Sequence, residues 1–166
     1  MRYADAFRYK QWANTELLAF GERQIHLLPD DDATFFIRIL NHTTVVDSLF
    51  ISRMTGTQEQ FSADNTVETP SFAELRDRLS ENDLWLVKFT ESLPANELER
   101  TITFQFTDGD VGQLSIDEML LHLLTHGSNH RGMASRTLAA NGLERPRDTF
   151  TRFLHEAEPS RRRAAH

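Results

Sequence analysis

Three histidines recur every fourth residue in the string His122-Leu123-Leu124-Thr125-His126-Gly127-Ser128-Asn129-His130-Arg131-Gly132. Within a helix, a spacing of i, i+4 puts successive imidazoles on one face, close enough to share an ion. Two neutral imidazoles on adjacent turns make half of a tetrahedral zinc-type site, or part of an octahedral nickel or iron site. His126 and His130 fall on the stripe that carries Met119, Leu123, Ala134 and Thr137, so the helical phase aims them at the core. A buried neutral histidine needs partners for both ring nitrogens; a metal takes one and an acceptor behind the ring takes the other. The same phase also describes histidines that are simply hydrogen-bonded inside a core. His42, on the apolar stripe of another predicted helix, is a third histidine and weighs toward the metal.

The neighbours of these residues narrow the chemistry. His122 continues the row but drifts about 40° per step around the helix, which makes it a fourth ligand or a neighbour that packs beside the site. Gly127, between the pair, permits close approach of a second helix or a ligand. Asp47 lies five residues after His42, about 140° around the helix. It reads as a surface or inter-helix polar contact rather than a co-ligand. The pair lacks the glutamate of His-Glu-x-x-His, because Gly127 stands in its place, so a zincin-type base is missing. There is no Gly-rich phosphate loop, and Ser115 and Ser128 have no nucleophile-elbow context. His26, His155 and His166 sit at element ends or in the tail and receive no role.

Four amphipathic helices must position these residues. The first is predicted over about 4–26, with Tyr9, Trp12, Ala13, Leu17 and Phe20 at helical spacing. Pro29 and Asp30-Asp31-Asp32 introduce the second, over about 31–55, with Phe35, Ile39, Val46 and Leu49 on its apolar face and Gly56 as its stop. Residues 57–70 read as a loop. The capping box Ser71-Phe72-Ala73-Glu74 opens a third helix, over about 71–92, that Pro94 ends. Thr101–Phe106, Asp108-Gly109-Asp110 and Val111–Leu114 describe a small hairpin at about 101–114, or an extended crossover. A second capping box, Ser115-Ile116-Asp117-Glu118, opens the histidine-bearing helix, which Asn141-Gly142 closes. A short terminal helix is expected at about 146–156. The expected fold is all-α: a four-helix bundle whose hairpin-bearing connection serves as a long crossover, plus a short C-terminal helix.

Composition bounds the function. The 166 residues suit one domain, here 1–157, followed by a basic, disordered tail over 158–166. No apolar run approaches the ~20 residues of a membrane helix, and the first residues enter amphipathic sequence without a signal peptide. The chain has no cysteine, which removes disulfides, thiolate ligands and a cysteine nucleophile, and fits a cytoplasmic protein. The net charge is −7, with three arginines confined to the tail, so the body is a poor partner for nucleic acid.

These residues carry a resemblance. The chain resembles the DinB/YfiT-like family of small bacterial metal-binding bundles over most of its length. Tyr9-Lys10-Gln11-Trp12-Ala13-Asn14 looks like the family's opening segment, and Leu40-Asn41-His42 followed by Asp47 looks like its second-helix motif. His126-x-x-x-His130-Arg131-Gly132 looks like its signature, although Met133 stands where a glutamine is common. Asn141-Gly142, Asp148 and Phe153-Leu154 resemble its closing stretch. The resemblance implies a bundle that often pairs as a homodimer, and a divalent metal, zinc or nickel, held by His42, His126 and His130. It implies a small-molecule substrate and an external low-molecular-weight thiol, as in mycothiol-dependent maleylpyruvate isomerase and bacillithiol S-transferases. Three protein ligands leave positions open for water or substrate. The expected function is a metal-dependent S-transferase. The alternatives are a non-catalytic metal- or ligand-binding stress-response protein and a hydrolase using bound water. Aromatic surface on the first helix is a candidate dimer contact.

Overall fold

The direction of each helix follows from the side chains it pairs. The computed structural model describes residues 3–162. Helix α1 spans Tyr3–Gln24, α2 Asp30–Thr55 and α3 Phe72–Ser92. Strands β1, Thr101–Gln105, and β2, Val111–Ser115, pair antiparallel with Thr101 opposite Ser115. Helix α4 spans Ile116–Ala140 and α5 Phe150–Ala157. Arg8 meets Glu91 and Arg76 meets Glu22, so α1 and α3 are antiparallel. Arg78 bonds Asn41 while Asn82 bonds Thr44 and Ser48, so α2 and α3 run parallel. Two parallel neighbours need a long return, and residues 57–71 supply it. The long crossover therefore lies between α2 and α3 and not, as the sequence suggested, at the hairpin. The hairpin instead closes one end of the bundle, where Phe104 packs on Phe50 and Arg53.

Local chemistry sets the helix ends. Ser71 and Ser115 each accept from the N–H three residues on, and Glu74 and Glu118 each accept back from the serine N–H, as the two capping boxes require. Each serine cap contributes about 1 kcal/mol. Gly56 ends α2 in the left-handed region at φ 71°, where a Cβ would be strained. Pro159–Arg161 forms a 3-10 turn; residues 163–166, the end of the expected tail, with His166, lie outside the described residues.

The apolar core comes in two parts. One gathers Phe7, Phe50, Leu86, Leu120 and Leu123; the other gathers Leu17, Phe36, Leu75, Leu79 and Leu138. Between them the same four helices contribute Lys10 and Asn14, Asp47, Asp83 and Arg131, all buried. A polar layer therefore cuts the core at mid-height, at the level of the histidines.

Two sequence expectations need correction. On α2 the inward residues are Phe36 and Leu40, whereas Phe35 is 41% exposed and Ile39 half-buried. The doublets Phe35-Phe36 and Ile39-Leu40 leave the phase open by one residue, and packing between α3 and α4 selects the second of each. The aromatic surface of α1 is covered within the chain. Tyr9 meets Phe150 edge-to-face at 5.4 Å, Trp12 lies 5.9 Å from Phe153, and the indole N–H donates to Glu156.

Candidate metal centre

Helices α2 and α4 run antiparallel, and their contact brings His42 against His126 and His130. The Nε2 atoms of His42 and His126 stand 3.0 Å apart, as do those of His126 and His130, and one ligand nitrogen from each ring lies within 4.8 Å of the others. All three rings are partly exposed. His122 does not join them. Its ring packs against Phe50 at 4.9 Å and stacks on His126 at 5.2 Å.

The crossover fixes the tautomer of His42. Returning along α2, it bonds Asn65 and Thr66 to Asn41 and Arg38, and it presents the Asp64 carbonyl 2.7 Å from His42 Nδ1. Only an Nδ1–H can make that bond, so the His42 Nε2 lone pair points at the other two rings. His126 and His130 are held neutral. Burial, with His130, His42, His122 and Lys10 around it, pushes the His126 imidazole down to about 3; burial, then His42, lowers His130. His122 is lowered too, again mainly by burial.

Neutral imidazoles cannot satisfy this cluster among themselves. If His126 Nε2 carries a lone pair, it faces the His42 lone pair at 3.0 Å; if it carries a proton, that N–H must serve two acceptors or face a second N–H on His130. His126 Nδ1 and His130 Nδ1 are also buried without partners. An ion on Nε2 would leave both Nδ1 atoms unpartnered as well, so the case for a cation rests on the converging Nε2 atoms. A cation answers the converging lone pairs. Imidazole nitrogens about 2.1 Å from one ion stand roughly 3.0–3.4 Å apart, which the two 3.0 Å spacings about His126 match.

The pH dependence is a direct consequence. His126 has a folded value near 3 against an ordinary 6.5. Between these values the unfolded chain binds the proton and the folded chain does not, so stability falls as pH drops through that window and is unaffected above it. In chelator, urea midpoints of the wild type relative to His126→Gln are expected to be flat above about pH 6.5 and to decline below it. A difference that stays constant down to pH 4 overturns the assignment.

Behind the histidines lies a layer that sequence reading did not find. Lys10 Nζ donates to Asp47 Oδ2 at 2.6 Å and to Asp83 Oδ1 at 2.8 Å, with all three side chains at most 2% exposed. Asn14 donates to Asp83 at 2.7 Å, Arg131 reaches Asn14 at 3.5 Å and Asp148 at 2.7 Å, and Tyr9 donates to Asp148. Burial alone would discharge Lys10, but the two carboxylates outweigh it and raise its pKa. Burial pushes the Asp47 carboxyl up to about 6 against the opposing pull of Lys10, and its Oδ1 is buried without a partner. Asp47 is thus the inter-helix contact and not the surface residue. The helical phase did hold a signal: Lys10 sits between Phe7 and Leu17 on the buried stripe of α1, and Asp83 between Leu79 and Leu86 on that of α3.

Gly127 lets this layer form. A Cβ there would meet Lys10 Cε at 3.1 Å. Gly127→Ala gains about 1 kcal/mol of helix propensity, but overpacking costs about 1–3 kcal/mol when the neighbour cannot yield. Lys10 is pinned by two carboxylates, so a net loss of about 1 kcal/mol is expected in urea unfolding. A variant as stable as the wild type would show that Lys10 moves freely.

Among the described residues, no helix is long and apolar enough to cross a membrane. The sequence model of the DinB family matches residues 4–163. No curated protein and no solved structure matches the chain.

Proposed function

Because the chain belongs to the DinB family, we propose that it is a metal-dependent S-transferase acting on a small electrophile with an external low-molecular-weight thiol. The observation that carries this is the convergence of three imidazoles at a partly exposed point between α2 and α4. Nε2 of His42, His126 and His130 would hold a divalent ion, zinc or nickel by the softness and geometry of an imidazole set. Such an ion supplies Lewis acidity that lowers the pKa of a bound thiol or water to near neutral. Asp64 and the crossover orient His42 through its Nδ1–H, and the absence of cysteine makes an external thiol the sulfur source. Pairing of two copies belongs to the same reading, and sedimentation equilibrium checks it.

The test is thiol-dependent consumption of an electrophile such as a chloro-dinitro aromatic by metal-loaded protein, across a panel of thiols. Turnover is expected, and it should vanish in a folded His126→Ala variant. Metal-loaded protein that turns over no thiol overturns the transferase reading and leaves a metal-binding protein. Turnover without thiol assigns bound water as the nucleophile instead.

A further inference from the structure

The residue that precedes His42 on α2 is polar and wholly buried. Asn41 is 0% exposed, and every group of its amide is used. Its Nδ2 donates to Asn65 Oδ1 at 2.6 Å and to Thr66 Oγ1 at 2.7 Å, both in the crossover. Its Oδ1 accepts from Arg78 Nη1 of α3 at 2.9 Å. A guanidinium only donates, so Arg78 decides which end of the amide faces the crossover. The bonds continue within the crossover. Asn65 Oδ1 also accepts from the Thr66 N–H at 2.9 Å, Asn65 Nδ2 donates to the Arg38 carbonyl at 3.1 Å, and Thr66 Oγ1 donates to the Glu68 carbonyl at 2.7 Å.

These bonds matter because apolar packing does little for this segment. No residue of 57–71 is buried, so its position depends on polar contacts. Arg38 adds bonds to the Thr66 and Val67 carbonyls at 3.0 and 3.3 Å, but from a long, half-exposed side chain that costs more entropy to fix. Asn41 anchors the same stretch from a short and fully buried one. The stretch so held adjoins Asp64, whose carbonyl lies 2.7 Å from His42 Nδ1. The Asp64 carboxylate is no substitute, since its side chain is 66% exposed and its Oδ2 stands 3.9 Å from that nitrogen. An imidazole released from the carbonyl spends part of its time as the Nε2–H tautomer, which has no lone pair to give at Nε2.

We propose that Asn41 is a positioning residue of the metal centre: it clamps Asn65 and Thr66 so that the Asp64 carbonyl stays on His42 and the His42 Nε2 lone pair stays aimed at His126 and His130. Arg78 extends the same chain of bonds to α3, a helix that carries no histidine of the centre. The role rests on the reading of the three histidines as metal ligands and is independent of the S-transferase chemistry.

The test reads the His42 ring nitrogens and the zinc affinity of the full chain. Long-range proton–nitrogen NMR of metal-free wild type, at a pH above the histidine range, should show His42 protonated at Nδ1. Asn41→Leu is close in size and places no unpaired polar group at that position. In it the His42 nitrogens should move to the averaged values of two tautomers. Zinc competition against a chromophoric chelator should give about 10–100-fold weaker binding than wild type. Thr66→Val, at a partly exposed position in the crossover, removes one of the two clamp bonds and should move both readouts the same way to a smaller degree. It carries the test if Asn41→Leu fails to fold. A His42 ring that stays protonated at Nδ1 in the folded variants, or zinc binding as tight as that of a zinc-binding wild type, overturns the role of Asn41 alone. A wild type that takes up no zinc overturns the metal centre and this role with it.

Discussion

Lys10→Ala is expected to cost about 3–5 kcal/mol in urea unfolding at pH 7, because it leaves buried carboxylates without their cation. That is a large share of the roughly 5–15 kcal/mol that a domain possesses. Asp47 and Asp83 are 0% and 2% exposed, and neither can turn to solvent. Asp83 keeps one bond from Asn14, whereas Asp47 Oδ1 has no partner even with Lys10 present. Once the lysine is gone, the cheapest relief is for Asp47 to take a proton. Its folded pKa, already raised to about 6, rises further above the ordinary 3.8. A raised folded value means that stability is fully present below the unfolded value and is lost as pH climbs through the folded one. The deficit should therefore be greater at pH 7.5 than at pH 5. The triple change Lys10→Met, Asp47→Leu, Asp83→Leu should recover most of the loss, since apolar replacement of a whole buried ion cluster is often neutral or stabilising. A single-variant cost below about 1 kcal/mol would mean that water enters this layer and that the ions are not dry.

His126→Ala separates a metal ligand from a core histidine by an effect that depends on metal. Protein purified without a histidine tag should carry about one zinc or nickel per chain. In the wild type, zinc at about a thousand times its dissociation constant should add about 4 kcal/mol to unfolding stability. In His126→Ala that increment should disappear. In chelator the two proteins should differ by no more than about 1 kcal/mol, because the substitution removes a ring whose Nδ1 has no partner and whose Nε2 crowds two others. A structural histidine behaves otherwise: its loss costs the same with and without metal. Equal unfolding midpoints for chelated and zinc-loaded wild type would overturn the centre.

These two experiments address residues that were unequally legible in the sequence. The i, i+4 spacing of His126 and His130 on an apolar stripe is a property of one helix, so local periodicity alone reveals it. The capping boxes at Ser71 and Ser115 and the stop at Gly56 are equally local, because the bonds that make them span three residues. The four helices and the hairpin followed from such signals. What one helix cannot encode is which face meets which neighbour. The choice of Phe36 over Phe35 depended on where α3 and α4 lie. The crossover moved to residues 57–71 because α2 and α3 run parallel, a fact set by pairings such as Arg78 with Asn41.

The polar layer shows the division most clearly. A lysine at a buried phase in α1 looks like a local mistake until α2 and α3 each bring a carboxylate to within 2.8 Å of it. A buried charge is unaffordable alone and tolerable when paired, and pairing is a relation among three helices. The orientation of His42 likewise waits on a backbone carbonyl 22 residues away in the crossover. The sequence by itself determined the helices, their ends and the histidine row, because those rest on interactions within a few residues. Only the tertiary structure decided that His126 and His130 meet His42 and that a charged layer backs them, because each depends on distances between chain segments far apart in sequence.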